Sequence, residues 1–271
     1  MTDEARPLVV LTGASGGIGR SVALRLASEG YDLFCAFHSR EPQIRNLRSE
    51  ILSLGARCDT FKCDLIQSSS VRDIVTRVSY LLEDPQVQLR GLVNCAALLL
   101  GPSFETATEK SFDNYVAVNV RAPFFLTQQL ARLMAPGSSV VNFSSAGAHF
   151  SSPGDIVYSM SKAALESMTF HAAEALARKG IRVNAVIPGF TDNGHELFSD
   201  PVVRKHMESH AVLGDVSSPE TVAEAVLFLI SQRSSRTTGT TLDVSGGSTL
   251  GYRHAKERIS LRQKSHVDRQ Y

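Results

Sequence analysis

The sequence has almost no net charge. Its 28 Lys and Arg stand against 27 Asp and Glu, a formal balance of +1. That leaves no basic field to gather nucleic acid and no acidic field to gather a cationic partner. Cysteine is scarce too. Cys35, Cys58, Cys63 and Cys95 show no C-x-x-C pairing, which argues against a cysteine-held metal and favours reduced, structural thiols. No apolar run approaches the ~20 residues that cross a bilayer as a helix. The opening Met-Thr-Asp-Glu-Ala-Arg-Pro holds no apolar core of signal-peptide length. These absences disfavour secretion and membrane insertion, and the expected location is cytoplasmic. No Pro-, Gly- or Ser-rich linker divides the middle of the chain and no internal repeat is visible, so one domain is expected over residues 1–251. What remains is an ordinary globular balance, 43% hydrophobic and 20% charged over 271 residues, enough to bury a real core.

Short apolar runs alternate with amphipathic stretches. Strands are expected at 8–11, 33–37, 60–63, 89–94, 139–143, 181–187 and 241–244. Helices are expected at 20–29, 41–54, 68–82 (capped by serines), 110–134, 155–178 and 219–230. Strands that are apolar on both faces, each followed by a helix, predict a parallel sheet covered on both sides. Right-handed crossovers then give an α/β fold: a Rossmann-type, doubly wound, seven-stranded parallel sheet. Two segments break the alternation. Residues 191–215 are polar, hold three histidines and read as a lid. Residues 252–271 follow the last expected strand and read as a tail.

The first strand runs into Thr12-Gly13-Ala14-Ser15-Gly16-Gly17-Ile18-Gly19. Glycines here permit a tight turn and a close approach of backbone to a pyrophosphate, and the following helix start offers free N–H groups to an anion. A glycine-rich run by itself is equally a flexible turn. Its place after the first strand of an α/β pattern favours a dinucleotide site. An NAD site usually ends its second strand on an acid that accepts from the adenosine ribose. This strand ends Phe37-His38-Ser39-Arg40, with no acid before Glu41. Either Arg40 pairs with a 2′-phosphate and Ser39 donates to it, which favours NADP(H), or Arg40 is a solvated helix start.

Tyr158 and Lys162 lie one helical turn apart and share a face. A tyrosine can act as an acid toward a carbonyl, but its ordinary pKa near ~10 is high for exchange at neutral pH, and a nearby ammonium brings it down. The spacing is cheap as a string: Tyr252 and Lys256 repeat it in the tail. Order along the chain favours Tyr158.

With these residues placed, the sequence resembles the short-chain dehydrogenase/reductase family over residues 7–250. The turn at Thr12–Gly19 matches T-G-x-x-x-G-x-G. Asn94-Cys95-Ala96-Ala97 is similar to the N-N-A-G strand end, departing at Cys95 and Ala97. Asn119 matches the helix asparagine. Ser145 matches the catalytic serine, with Ser144 beside it as the fallback. Tyr158-Ser159-Met160-Ser161-Lys162 matches the tyrosine–lysine motif, Pro188-Gly189-Phe190-Thr191 the segment beside the nicotinamide, and Asp64, followed by Leu65, the acid bordering the adenine.

The resemblance implies a mechanism and a cofactor set. Asn119, Ser145, Tyr158 and Lys162 would be catalytic. Gly13, Ser15, Gly16, Gly17, Ile18, Gly19, His38, Ser39, Arg40, Asp64, Leu65, Asn94, Ala96, Ala97, Tyr158, Lys162, Pro188, Gly189, Phe190 and Thr191 would hold NADP(H). NADPH would deliver hydride to a carbonyl carbon. Ser145 would bond the carbonyl oxygen and Tyr158 would give the proton. Lys162 would hold the nicotinamide ribose and lower the Tyr158 pKa. Asn119 would bend its helix and anchor a water. The expected activity is 3-oxoacyl-reductase-like: reduction of a ketone that is a small molecule or carried on an acyl carrier. An NAD-dependent alcohol dehydrogenase and a non-catalytic nucleotide-binding scaffold are the rivals. A divergent enoyl reductase is disfavoured, because that type spaces tyrosine and lysine further apart.

Helices 110–134 and 155–178 are apolar on more than one face, which predicts a homodimer or homotetramer. His206 and His210, with Glu208 between them, are spaced for a metal, but no third ligand is evident and none is expected. His195 either touches substrate or is solvated. His171 is expected to be packed or at an interface. Residues 98–100 either wall the substrate pocket or pack in the core.

Overall fold

The computed structural model describes residues 5–194 and 196–250. The expected tail at 252–271, the Tyr252–Lys256 pair and His195 lie outside the described residues. Seven strands form one sheet: β1 Arg6–Thr12, β2 Asp32–Phe37, β3 Cys58–Lys62, β4 Val87–Asn94, β5 Ser139–Phe143, β6 Arg182–Pro188 and β7 Thr241–Val244. Their order is β3-β2-β1-β4-β5-β6-β7, every pairing is parallel, and the order reverses direction between β1 and β4. That is the doubly wound α/β architecture, and ligands of such sheets sit beyond the carboxyl ends of the strands near the reversal.

The helices are α1 Gly17–Ser28, α2 Glu41–Ser53, α3 Ser69–Leu81, α4 Glu109–Val116, α5 Ala122–Leu130, α6 Ile156–Ala177, α7 Pro201–Glu208 and α8 Pro219–Ile230. The strands alternate their side chains between two cores. Val9, Leu11, Leu33 and Cys35 pack against Val22 and Leu26 of α1, Leu47 and Ile51 of α2, and Val222 and Val226 of α8. Leu8, Val10, Phe34 and Ala36 pack on the other face against Ile74 and Val78 of α3, Leu126 and Leu130 of α5, and Ala173 of α6. Truncating one of these fully buried leucines to alanine costs about 2–5 kcal/mol. No helix among the described residues is long and apolar enough to cross a membrane.

Several expectations are corrected. β3 begins at Cys58, two residues early, so Cys58 is a strand residue and Cys63 follows the strand. Ser68 stands before α3 without a side-chain capping bond. The expected helix at 110–134 starts at Glu109 and ends at Leu130, and its helical backbone carries a π-helical turn, Ala117–Arg121, between α4 and α5 where Asn119 was expected to bend it. The segment at 191–215 has secondary structure of its own. It holds α7, whose Val203 and Met207 make a small core with Val216, Phe190, Leu197 and Phe198.

Candidate active site

The turn after β1 is closed by backbone contacts that leave no room for side chains. Gly13 has φ +75°, and a Cβ there would come within 2.8 Å of the Ala96 backbone. At Gly19 a Cβ would lie 2.2 Å from the Gly13 carbonyl oxygen, and at Gly17 it would lie 2.7 Å from Cβ of Asn193. Gly16 caps α1 with no side-chain bond, and no acid stands in the first turn. The first N–H groups and the positive end of the helix dipole therefore face the cleft, beside the partly exposed Ser15 and Ile18. A close, uncapped, glycine-lined helix start fits a pyrophosphate.

At the end of β2, His38, Ser39 and Arg40 are all exposed. Arg40 has φ +63° and opens α2, and its guanidinium pairs with no carboxylate among the described residues. Glu41, the nearest acid, is turned away into an ion pair with Lys62 at 2.6 Å, and that contact holds its carboxyl below the usual range. Among the described residues, the adenosine end thus presents a cation with no carboxylate partner in place of a free carboxylate. Asp64 accepts from the Ile66 backbone N–H through Oδ1 at 3.0 Å, and Leu65 beside it is buried. Asn94 is buried and donates to Asn142 at 2.8 Å. The Ala96 N–H donates to the Thr12 hydroxyl at 3.2 Å, bringing the strand end at Ala96 and Ala97 against the turn.

The four expected catalytic residues meet where β4, β5 and α6 converge. Asn119 sits in the π-helical turn. Its Oδ1 accepts from the Leu98 N–H at 2.9 Å, and its Nδ2 donates to the Leu98 carbonyl at 3.1 Å and to Ser161 Oγ at 2.9 Å. Its side chain thereby ties the 98–101 loop to α6. That loop passes close to Tyr158: a Cβ on Gly101 would lie 3.0 Å from Cβ of Tyr158. Leu98 packs on the core, whereas Leu99 and Leu100 are exposed.

Ser145 Oγ accepts from the Gly147 N–H at 3.1 Å, and both it and the Tyr158 ring border Gly147, at 3.5 and 3.8 Å from where a Cβ would stand there. Burial is the largest influence on Tyr158 and pushes its hydroxyl up to about 12, while the nearby Ser145 hydroxyl pulls the other way. Lys162 is buried, donates from Nζ to the Phe143 carbonyl at 2.7 Å, and is brought down to about 8 by desolvation. Its Nζ lies 5.6 Å from the centre of the Tyr158 ring. Lowering of Tyr158 by Lys162, expected from the sequence, is therefore not found: burial dominates, and the ammonium is held by a backbone carbonyl.

The segment after β6 closes the other side. Gly189 lies under Ser245, whose carbonyl oxygen a Cβ would approach to 2.8 Å. Thr191 donates to the Gly189 carbonyl at 3.1 Å and bridges to Ser217. Phe190 leans on the α7 core and lies edge-on to His210 at 5.2 Å. Arg204 of α7 holds both ends of this segment, pairing with Asp192 at 3.0 Å and Asp215 at 3.1 Å, and also with Glu208 at 3.0 Å. Glu208 is thereby drawn to Arg204. His206 and His210 stack edge-on at 4.8 Å, and no group of three metal-ligating side chains gathers among the described residues. His171 is exposed, edge-on to Phe170.

Three neighbours escaped the sequence reading. Glu166 accepts from Ser144 and His149, Asn193 lies over the glycine turn, and Cys95 is half-buried near Lys162, with its thiol pushed up to about 12 by desolvation. The i, i+4, i+8 spacing of Tyr158, Lys162 and Glu166 was the available signal for the first. Cys95 stood in view as a departure within the Asn94–Ala97 strand end, and nothing local marks Asn193.

A family model described as enoyl-(acyl carrier protein) reductase matches residues 13–249. L-xylulose reductase of Caenorhabditis elegans is 35% identical over 244 residues, covering 88% of this chain and 94% of that protein. The 3-oxoacyl-(acyl-carrier-protein) reductase FabG of Thermotoga maritima is 31% identical, covering 88% and 96%. Among solved structures, the angucycline C-6 ketoreductase LanV with bound NADP superposes with a TM-score of 0.86 at 33% identity, covering 92% of this chain and 100% of that one. The promiscuous reductase LugOII, which catalyses keto-reduction at C1 during lugdunomycin biosynthesis, gives 0.87 at 34% identity over the same shares.

Proposed function

The chain belongs to the short-chain dehydrogenase/reductase family, and we propose that within it the protein is an NADPH-dependent ketoreductase with Tyr158 as proton donor. The observation that carries this reading is the convergence of the half-buried Ser145 and Tyr158 with the buried Lys162 beyond the carboxyl end of β5, with Arg40, which pairs with no carboxylate among the described residues, exposed after β2 on the same edge of the sheet. NADPH, when bound, supplies the hydride. Gly13, Ser15, Gly16, Gly17, Ile18 and Gly19 would hold its pyrophosphate by backbone N–H groups. Ser39 and Arg40 would hold the 2′-phosphate, with His38 beside them, and Asp64, Leu65, Asn94, Ala96 and Ala97 would border the adenosine half. Pro188, Gly189, Phe190 and Thr191 would flank the nicotinamide.

The chain's own residues account for the rest. Ser145 Oγ, fixed by the Gly147 N–H, is free to donate to a carbonyl oxygen as charge builds on it. Tyr158, kept protonated by burial, gives that oxygen its proton. Lys162 keeps a positive charge beside the tyrosine at neutral pH. Asn119 fixes the π-helical turn and the 98–101 loop against α6. The proposed substrate is a ketone of 3-oxoacyl or polyketide type, a reading supported by the named activities of FabG and LanV.

The exposed Phe124, Phe125 and Leu133 in and after α5, with Met160 and Phe170 on α6, support assembly into a homodimer or homotetramer through these helices. The four free cysteines support a cytoplasmic location. The test is oxidation of NADPH by purified protein across a panel of β-ketoesters and fused-ring ketones. Turnover that prefers NADPH to NADH is expected, and the absence of turnover with every ketone overturns the reading.

A further inference from the structure

Four consecutive residues leave the carboxyl end of β5, and α6 contacts each of them. Asn142 Nδ2 donates to the Thr169 hydroxyl at 2.9 Å. Phe143 accepts from Lys162 Nζ at 2.7 Å. Ser144 Oγ donates to Glu166 Oε1. Ser145 and Tyr158 both border Gly147, with Ser145 Oγ 3.5 Å and the Tyr158 ring 3.8 Å from where a Cβ would stand there. Three of the four contacts are accounted for by the sheet and by the proposed chemistry. The Ser144–Glu166 contact is not.

Glu166 stands one turn beyond Lys162, with its side chain 19% exposed. The same oxygen that accepts from Ser144 also lies 2.9 Å from His149 Nε2. Ser144 immediately precedes Ser145, and His149 follows it by four residues. One carboxylate oxygen therefore grips the loop on both sides of the serine. The carboxylate is the centre of this group. His149 does not stand between it and Ser144, so the arrangement lacks the serine–base–acid order of a nucleophile triad. Its geometry is that of a staple.

We propose that Glu166 is a positioning residue for Ser145, clamping residues 144–149 to α6 so that Ser145 Oγ stays aligned with the Tyr158 hydroxyl. A donor aimed at a developing oxyanion works only within a few tenths of an ångström, and a misplacement of about 1 Å costs on the order of a hundredfold in rate. Ser145 sits in extended backbone at φ −160°, followed by a single 3-10 turn, Ala146–Ala148. Such a short element cannot hold a side chain by itself. The Gly147 N–H bond fixes the serine within the loop, and Glu166 fixes the loop to the helix that carries Tyr158 and Lys162.

The inference rests on the ketoreductase reading, and the experiment separates the two. Glu166→Ala, Glu166→Gln, Ser144→Ala and the double variant Ser144→Ala/Glu166→Ala are compared with wild type and with Glu174→Ala, an exposed change on the same helix. The readouts are kcat with the best ketone, Kd for NADPH by fluorescence titration, and a crystal structure of Glu166→Ala. Glu166→Ala is expected to lose about ten- to a hundredfold in kcat with the NADPH Kd within about threefold of wild type. Glu166→Gln still accepts from Ser144 and is expected to recover most of that loss. The double variant is expected to be no worse than Glu166→Ala alone, because both remove the same tie. In the crystal, residues 144–149 are expected to shift while α6 stays in place. Wild-type kcat in Glu166→Ala, or an unmoved 144–149 loop, overturns the proposal. If wild type reduces no ketone, the ketoreductase reading fails, and the loop position still decides the staple. If Glu166→Ala does not fold, Glu166→Gln and Ser144→Ala carry the test: Ser144→Ala kinetics equal to wild type overturn it.

Discussion

Lys162 donates from Nζ to the Phe143 carbonyl at 2.7 Å, the last residue of β5, and so carries its charge into the cleft on a backbone tether. Desolvation lowers its pKa from 10.5 to about 8, so the ammonium persists below pH 8 and is lost above it. Tyr158 is raised to about 12 and keeps its proton throughout that range. Ketone reduction should therefore fall as pH rises through about 8, and the limb belongs to the lysine. Lys162→Arg, which keeps its charge, should remove the limb even though it lowers the rate. A pH profile of kcat/KM checks this, and a flat profile through pH 8 contradicts it. The linkage to stability follows in sign. A lysine with a depressed folded value binds fewer protons folded than unfolded between about 8 and 10.5, so its contribution improves as pH rises through that window. The raised Tyr158 contributes stability up to its ordinary value of 10 and loses it between 10 and about 12.

Arg40 should decide the choice between dinucleotides. A charge-assisted contact to a phosphate is worth about 1.5–3 kcal/mol, or roughly ten- to a hundredfold in affinity. Arg40→Ala should weaken NADPH by that factor and leave NADH nearly unchanged. Parallel titrations with both dinucleotides check it. Equal losses for both would mean that Arg40 acts only as the helix start.

Gly19→Ala should distort the phosphate turn. Its Cβ would meet the Gly13 carbonyl oxygen at 2.2 Å, and backbone on both sides leaves the turn to open. Overpacking of this kind costs about 1–3 kcal/mol, a fall in Tm of a few degrees for a domain of this size. Thermal melts with and without NADPH should show a lower Tm and the loss of stabilisation by the cofactor.

Arg204→Gln should release both ends of the α7 segment, since one guanidinium holds Asp192 and Asp215. Asp192 adjoins Asn193, which lies against Gly17. Raised KM for ketone and for NADPH is expected, with kcat little changed. Steady-state kinetics of Arg204→Gln at low and high salt should show the wild type approaching the variant as salt rises.

The sheet was legible because its strands are apolar on both faces and each but the last is followed by a helix. Seven parallel strands follow from that alternation. The turn at Gly13–Gly19 and the Tyr158–Lys162 spacing were legible for a similar reason, since each is a local pattern with a local cause. What stayed hidden depends on distance. Asn193 reaches Gly17 from far along the chain, and the grip of Arg204 on Asp192 and Asp215 is tertiary. The start of β3 at Cys58 was missed because pairing with Leu33 extends the strand beyond its most apolar residues. The protonation of Tyr158 was misjudged for a related reason. Spacing places Lys162 beside it, but burial and the Phe143 carbonyl decide what that lysine does.

The most direct test of the account is NADPH oxidation by Tyr158→Phe, measured beside the NADPH Kd of the same variant. The phenyl ring keeps the packing and removes the proton. Turnover with every ketone is expected to fall to background while the Kd for NADPH stays near wild type. Near-native turnover in Tyr158→Phe would contradict it.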